Sequence, residues 1–257
     1  MTFVRLTTLL LLSLFLVTGA QAAADKKKAA TLTADQIIAK MDSNQVFSSR
    51  KAETTMIIYK RGRKRKKKML SYSKGEKTSY SEFLSPARDK GIKYLKLNDN
   101  LWMYLPSAEK TMKISGHMLR QSMMGSDFSY EDMLDAAALR SRYTNKVTGS
   151  GKVDGRDCYV IEMKQKKRGE TYPTRKVWVD KTRFVSLKME LYAASGRLMK
   201  VMTMSDVKKI EKRWYPHTIK MINKLRRGTW TKIKMTKIEF HVKLPGQIFS
   251  VRNLSRE

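Results

Sequence analysis

Short apolar stretches separated by turn-forming residues run through most of this chain, and they limit it to a mainly β fold. Residues 54–59, 93–97, 101–105 and 176–179 are rich in the β-branched and aromatic residues typical of strands. Turn signals separate the strand candidates at Lys74-Gly75, Asn98-Asp99-Asn100, Asp154-Gly155, Ser195-Gly196 and Arg227-Gly228. Many short strands joined by hairpins predict one antiparallel sheet of the mainly β (α+β) class, coiled into a barrel or a half-barrel.

Two segments depart from the strand pattern and predict helices. Thr33-Ala34-Asp35-Gln36 has the sequence of a capping box, so we expect one amphipathic helix over 33–43. Between positions 116 and 139 the chain predicts two short helices, at 117–124 and 129–134, the second with a Ser cap and acids in its first turn. We expect this helical insert to cover the open face of the sheet as a lid.

Residues 1–24 have the three-part layout of a secretory signal peptide. Arg5 supplies the positive charge, an apolar run covers residues 6–17, and small residues end at Ala20-Gln21-Ala22. The apolar run is shorter than the roughly 20 residues that span a bilayer, which favours a cleaved signal over a membrane anchor. No cysteine lies near the cleavage site, so we expect a soluble periplasmic protein that is not itself a lipoprotein. Residues 25–257 then form a single domain.

Composition excludes several classes of protein. Hydrophobic residues make up 41% of the chain, which excludes disorder throughout. One cysteine and three isolated histidines exclude a disulfide scaffold and a His-rich metal centre. The formal net charge is +31, and because an exported chain rarely meets nucleic acid, we expect no nucleic-acid partner. Polyanion binding stays as an alternative that net charge alone favours.

The densest run of charge lies between two strand candidates. Its cations are candidates for contact with anionic headgroups or a membrane surface: Arg61, Arg63, Lys64, Arg65, Lys66, Lys67 and Lys68. A solvated hairpin tip explains the same run.

The usual catalytic constellations are absent from the sequence. There is no P-loop, G-x-G-x-x-G or H-E-x-x-H, and Gly125-Ser126-Asp127 is not a G-x-S-x-G motif. The one acidic cluster, Asp127, Glu131, Asp132 and Asp135, has a spacing that fits capping and salt bridges. We therefore predict no catalytic residue, no metal and no cofactor, with a hydrolase using this cluster as the alternative.

Three ordered stretches resemble the outer-membrane lipoprotein-sorting protein family (LolA-like), particularly its branch of uncharacterised exported proteins. Residues 82–95 read EFLSPARDKGIKYL, residues 101–106 read LWMYLP, and residues 124–132 read MGSDFSYED. That branch carries the patterns F-x-x-P…KG…L, LW-x-Y-x-P and MGSDFSYED in this order. The resemblance implies a half-open barrel whose helices cover an apolar cavity for lipid or for the acyl chains of a lipoprotein. It also implies association with a permease of the resistance–nodulation–division (RND) type.

The seventeen methionines of the chain suit such a cavity, because methionine is flexible and accepts varied apolar ligands. The candidates for the lining and lid are Leu95, Leu101, Trp102, Tyr104, Met118, Met123, Met124, Phe128, Tyr130, Met133 and Trp178. Gly125, Asp127, Glu131 and Asp132 form a structural motif that we expect to cap and anchor the lid helix. We expect a monomeric carrier; the alternative is a non-enzymatic adaptor of a membrane export complex that meets an anionic partner through its basic surface.

Overall fold

Thirteen β-strands make up most of the described chain. The computed structural model describes residues 32–134 and 139–256, so the predicted signal peptide at 1–24 lies outside the described residues. The strands are β1 (Ser49–Lys60), β2 (Arg63–Lys74), β3 (Thr78–Ser85), β4 (Lys93–Leu97), β5 (Asn100–Leu105), β6 (Lys110–Ile114), β7 (Tyr143–Val153), β8 (Arg156–Gln165), β9 (Thr174–Asp180), β10 (Ser186–Tyr192), β11 (Leu198–Ile210), β12 (Arg213–Asn223) and β13 (Thr229–Phe240).

All thirteen strands belong to one antiparallel sheet, which confirms the predicted half-barrel. Their order across the sheet is β6-β5-β4-β3-β2-β1-β13-β12-β11-β10-β9-β8-β7. Each of the five predicted turn signals joins two consecutive strands of this sheet. The sequence therefore predicted both the sheet and the positions of these hairpins.

The first and last strands meet in the middle of the sheet, where Met56 of β1 pairs with Ile233 of β13. The two sheet edges, β6 and β7, are consecutive in the chain but lie at opposite ends of the sheet. A hairpin cannot join strands so far apart. The connecting residues that the structure describes, 115–134 and 139–142, are called the insert below and lie over a face of the sheet.

The insert is more broken than the two predicted helices. It contains 3-10 helices at Gly116–Arg120 and Met123–Gly125, and short α-helices α2 (Tyr130–Leu134) and α3 (Leu139–Arg142). The backbone at Met124 and at Gly125 is left-handed, with φ of 51° and 74°. Between the two 3-10 helices Gln121 and Ser122 are extended, with ψ of 156° and 121°, so the predicted helix at 117–124 was wrong in type and continuity.

Helix α1 (Ala34–Ser43) forms as predicted. The hydroxyl of Thr33 accepts from the backbone N–H of Gln36 at 3.2 Å, and the Gln36 side chain accepts from the backbone N–H of Thr33 at 2.9 Å. This reciprocal pair is the predicted capping box. Ile37 and Ile38 are fully buried in one cluster with residues of β7 to β10. Helix α1 and the insert thus cover the same face of the sheet, called the inner face below.

The C-terminal residues cover part of the opposite, outer face. Leu254 is fully buried and packs with Tyr80 and Leu95, while Ile248 and Phe249 pack around the same cluster. Alternation of side chains along each strand separates this cluster from the inner core. Among the residues that the structure describes, no helix has the length and apolar character needed to cross a membrane.

A buried carboxylate holds one end of the sheet together. The Asp180 side chain is fully buried and receives Arg156 Nε at 2.5 Å and Arg183 Nε at 2.8 Å. It also accepts from the backbone N–H groups of Thr182 and Arg183. Burial alone would raise the pKa of Asp180, but Arg156 and these hydrogen bonds outweigh burial and hold the pKa well below its usual range. The ionised carboxylate links β8, β9 and the turn before β10.

We expect Asp180→Asn to lower the free energy of unfolding by about 3 kcal/mol at neutral pH, because two arginines lose a buried partner. The folded pKa lies below the unfolded value, so this contribution is present above about pH 4 and is lost as pH falls. The measurement is urea unfolding at several pH values. Asp157→Asn is the control, since Asp157 is exposed and its Lys152 partner is 3.9 Å away. Equal losses in both variants would contradict the assignment.

Candidate functional site: a cavity on the inner face

A cavity of about 480 Å³ lies between the inner face of the sheet, the end of α1 and the insert. Strands β1 to β4 and β9 to β13 supply wall residues, α1 supplies Met41, and the insert supplies Met123, Phe128, Asp132 and Met133. Pockets that bind small organic ligands measure roughly 300–1,000 Å³. The cavity is therefore large enough to hold a ligand.

Methionine dominates the apolar part of the wall. Ten of the 17 methionines line the cavity: Met41, Met56, Met69, Met123, Met133, Met189, Met202, Met204, Met221 and Met235. The strand methionines face inward because they occupy alternate positions, as Met202 and Met204 do on β11. Unbranched thioether side chains adapt to ligands of different shape. This wall suits flexible hydrocarbon chains.

Another part of the wall is polar and contains Arg50 with serines of β2 and β3. Register places Arg50 opposite Ser73, Ser73 opposite Ser79, and Ser71 opposite Ser81. The Arg50 guanidinium donates to Ser73 Oγ at 3.1 Å and to the Tyr215 hydroxyl, and lies 4.9 Å from the Phe47 ring. Its Nε is buried without a hydrogen-bond partner among the described residues. This end of the cavity offers a cation and several hydroxyls.

Two further cations line the same cavity. Lys96 Nζ donates to the backbone oxygen of Leu134 at 3.2 Å, and the Arg175 guanidinium lies 4.7 Å from the centre of the Tyr143 ring. Arg175 is nearly fully buried, so its charge acts in a weakly screened environment. The cavity is therefore amphipathic: methionines form its apolar lining, the methionine wall, and its polar lining contains these three cations, several serines and the carboxylates of Asp42, Glu76 and Asp132.

Asp127 fastens the insert to the centre of the sheet. Its carboxylate accepts from the hydroxyls of Thr229 and Thr231 on β13, each at 2.7 Å. Its backbone N–H donates to Thr231 Oγ1 at 2.9 Å. All three groups are buried. These bonds explain why an acid stands at this position: it binds the insert across the inner face.

Asp132 makes a second attachment. Its carboxylate accepts from the Ser129 backbone N–H at 2.7 Å, from Lys200 Nζ at 2.6 Å and from the Tyr172 hydroxyl at 3.1 Å. Burial, followed by the charge of Asp132, raises the pKa of Tyr172, so this hydroxyl stays protonated and donates. Glu131 adds a bond from Thr171 Oγ1 at 2.5 Å. The acidic motif thus caps α2 and attaches it to β11 and to the segment before β9.

Gly125 belongs to this attachment through its backbone. Its φ of 74° is a backbone conformation that residues with a Cβ rarely adopt. A Cβ at this position would lie 3.2 Å from Arg65 Nη2. A glycine lets the chain turn tightly just before Asp127.

The structure brings only part of the predicted lining together. Met123, Phe128 and Met133 line the cavity. Leu101, Met118, Met124 and Tyr130 pack in the core beside it, under or within the insert. The remaining four candidates, Leu95, Trp102, Tyr104 and Trp178, pack in outer-face clusters.

Strand alternation explains this division. In β5 the side chains of Leu101 and Met103 point to the inner core, so Trp102 and Tyr104 point outward. The sequence pattern identified the strand but not which of its faces is inner.

The predicted basic run is also divided. Arg65 reaches the insert on the inner side, where its Nη2 approaches Gly125, and the same alternation turns Lys64, Lys66 and Lys68 outward. Lys67 is not available to a headgroup, because it is buried in an ion pair with Asp89. Arg61 and Arg63 are exposed near the β1–β2 turn.

Sequence reasoning missed the polar wall. Arg50 alternates in step with buried Met56 on β1, and Ser71 and Ser73 do so with buried Met69 on β2. On β3, Ser81 alternates in step with buried Phe83. A strand that is buried on one face normally carries apolar residues there. Hydroxyls and a cation at these inward positions were therefore the feature of the sequence that could have indicated a polar wall.

Within residues 32–134 and 139–256, no group of three or more His, Cys, Asp or Glu residues is arranged to hold a metal ion. Cys158 is buried, and burial raises the pKa of its thiol.

A family model described as "Uncharacterized protein" matches residues 75–256, which is more than half of the chain. The comparison with curated proteins gave no match. A solved structure described as an outer membrane lipoprotein-sorting protein domain from Vibrio parahaemolyticus is 25% identical, with a TM-score of 0.78 over 86% of this chain and 97% of that one. A DUF1329 family protein from Desulfovibrio piger is 28% identical, with a TM-score of 0.78 over 85% of this chain and 96% of that one.

A LolA superfamily protein from Nitrosomonas europaea has the same fold, at 24% identity and a TM-score of 0.71 over 86% of this chain and 98% of that one. The chain belongs to the matched family, and that family is LolA-like. The resemblance that the three sequence stretches indicated is therefore confirmed.

We expect Asp127→Asn to loosen the insert, because an amide cannot accept from both threonine hydroxyls as the carboxylate does. The expected loss is about 1–3 kcal/mol of unfolding free energy, with faster amide hydrogen exchange in residues 122–134. Asp99→Asn in the exposed β4–β5 turn is the control. Exchange rates in residues 122–134 that match those of the control would contradict the anchoring role.

Proposed function

We propose that this protein is a periplasmic carrier that shields acyl chains of lipids or lipoproteins in the inner cavity. It moves them between membranes, or to and from a permease of the RND type. The observation that carries the proposal is the amphipathic cavity, with ten methionines on one side and Arg50 with serines on the other. Removing apolar surface from water contributes about 25 cal/mol per Å². Membership of a LolA-like family supports the same function.

The polar wall suits the head of the cargo. An acyl chain along the methionines would bring its head toward the polar lining, which includes the cations Arg50, Lys96 and Arg175. Buried cations bind anionic oxygens more strongly than exposed ones, because water screens them less. We propose that cargo with an anionic head is preferred over a neutral one.

The proposed carrier performs no covalent chemistry and uses no cofactor. Of the four acids in the predicted cluster, Asp135 lies outside the described residues. Asp127, Glu131 and Asp132 accept from hydroxyl, amide or ammonium donors. Their geometry holds the insert in place, which is a structural role. The hydrolase alternative predicts a turnover that depends on Asp127.

Export by a cleaved signal at 1–24, a single domain over 25–257 and a monomeric state are parts of the same proposal. The alternative function is an adaptor of a membrane export complex. It is favoured by the basic outer face, which fits an acidic partner and needs no cargo. The contents of the cavity distinguish the two functions.

We expect protein purified from the periplasm without detergent to carry phospholipid, lipid A or acylated peptide in a fixed ratio. The measurement is mass spectrometry of organic extracts, with a protein from the same host as the blank. Extracts no richer than the blank, together with negative lipid-exchange assays, would favour the adaptor.

We expect Met202→Glu to lower the bound lipid at least fivefold, because a carboxylate in the methionine wall opposes burial of a hydrocarbon chain. Leu84→Glu is the matched control, since Leu84 is a 42% exposed strand residue away from the cavity. Thermal unfolding checks that both variants fold, and Met202→Gln replaces the first variant if it does not. Unchanged lipid in a folded Met202 variant would contradict the proposed wall.

We expect Arg50→Gln to shift the bound pool from anionic toward neutral lipids while total lipid stays within about twofold. Arg63→Gln is the control, because Arg63 is exposed and its substitution removes the same charge outside the cavity. An unchanged proportion of anionic lipid would remove Arg50 from the proposed head site.

A further inference from the structure

Six lysines with no acidic partner among the described residues form one patch on the outer face of the central strands. They are Lys64, Lys66 and Lys68 on β2, Lys220 on β12, and Lys232 and Lys234 on β13; together they are called the lysine face. Four are exposed, and Lys220 and Lys232 are half-buried. These lysines lie in distant parts of the sequence, and the pairing of strands in the sheet brings them together.

Strand register fixes the arrangement. Ile57 of β1 lies opposite Lys66 on one side and opposite Lys232 on the other, and Lys232 lies opposite Lys220. Strands are spaced about 4.8 Å apart, so this row of three lysines spans about 15 Å. A parallel row contains Lys68, Thr55 and Lys234. The charges therefore form a field two rows deep.

The lysine face has a cost for folding. Like charges directly opposite each other on paired strands, as Lys220 and Lys232 are, destabilise a sheet. None of the six lysines forms a salt bridge within the described residues. The acids of this face, Glu53 and Glu239, lie toward the other end of β1 and β13, and Glu239 is paired with Lys237 at 2.8 Å. An anionic surface bound from outside would relieve this repulsion.

Two aromatic rings lie in the same field. Tyr59 of β1 and Trp230 of β13 stack with ring centres 5.2 Å apart, and Tyr59 lies opposite Lys64. Lys220 Nζ is 5.2 Å and Lys232 Nζ 6.0 Å from the centre of the Trp230 ring. Tyrosine and tryptophan favour the interface between water and lipid, because their rings are apolar and their tips are polar.

We infer that the lysine face docks the protein onto the surface of an anionic phospholipid bilayer. The ammonium groups contact lipid phosphates, while Trp230 and Tyr59 enter the headgroup layer. A field two rows deep contacts several lipid headgroups at once, whereas the narrow backbone of a nucleic acid would contact only part of it. The preference for a bilayer over another polyanion rests on the proposed carrier function, since a carrier of lipid must approach a membrane.

The test is co-sedimentation of the full chain with vesicles of phosphatidylglycerol and phosphatidylcholine, compared with pure phosphatidylcholine vesicles. The variant is the triple substitution Lys66→Gln, Lys220→Gln and Lys232→Gln. The matched control is Lys166→Gln, Lys167→Gln and Arg168→Gln, which removes three charges from the exposed β8–β9 loop. Because each basic residue near an anionic surface adds to binding, we expect the triple variant to bind anionic vesicles at least about tenfold more weakly. We expect the control to stay within about threefold of the unaltered protein.

Equal losses in the variant and the control would overturn the inference, because they would show a response to net charge alone. Absence of binding to anionic vesicles by the unaltered protein at low salt would also overturn it. Loss of heparin or DNA binding with vesicle binding unchanged would assign the lysine face to another polyanion. Lipid content measured in the same triple variant separates this inference from the carrier function: we expect it to be unchanged, since no substituted residue lines the cavity.

Discussion

The pairing of β1 with β13 in the middle of the sheet determines much of the rest of the structure. With the first and last strands paired at the centre, the chain runs outward through β6 and must return from β7 at the far edge. That return places the insert over the inner face. The insert in turn needs buried attachments to a surface of mostly apolar side chains, and the threonines of β13 provide them for Asp127. The cavity is the space left between α1 and the anchored insert.

The two faces of the central strands have opposite chemistry because side chains alternate along each strand. On β13, Thr231, Ile233 and Met235 point inward, while Trp230, Lys232 and Lys234 point outward. A one-residue shift in register would exchange these sets. Cargo binding and surface charge therefore both depend on the same backbone hydrogen bonds.

Much of the fold could be predicted from local chemistry. The capping box of Thr33 and Gln36 and the five hairpin turns act over a few residues, so the sequence shows them directly. The ordered stretches near residues 82–132 identified the family. The candidate site was predicted less completely. Met123, Phe128 and Met133 line the cavity, but Trp102 and Tyr104 lie on the outer face, because a strand with large residues at every position does not reveal its inner side.

The sequence also did not predict which residues pair over long distances in the chain. Nothing local indicates that Lys67, within a run of exposed cations, is buried against Asp89, or that Arg50 faces Tyr215. Both contacts join residues on different elements, and the sheet order decides them. The exposed part of the basic run was therefore predicted by composition, while its division between two faces required the structure.

The methionine wall also makes the cavity sensitive to oxidants. Cys158 is buried, and its raised thiol pKa keeps the reactive thiolate scarce, so it offers little protection. Thioethers such as Met202 and Met235 line the cavity instead. Oxidation to the sulfoxide converts an apolar side chain into a polar one. Each oxidised residue would carry a strong dipole into the wall and lower its affinity for hydrocarbon, whereas a bound chain would shield the sulfur atoms from attack.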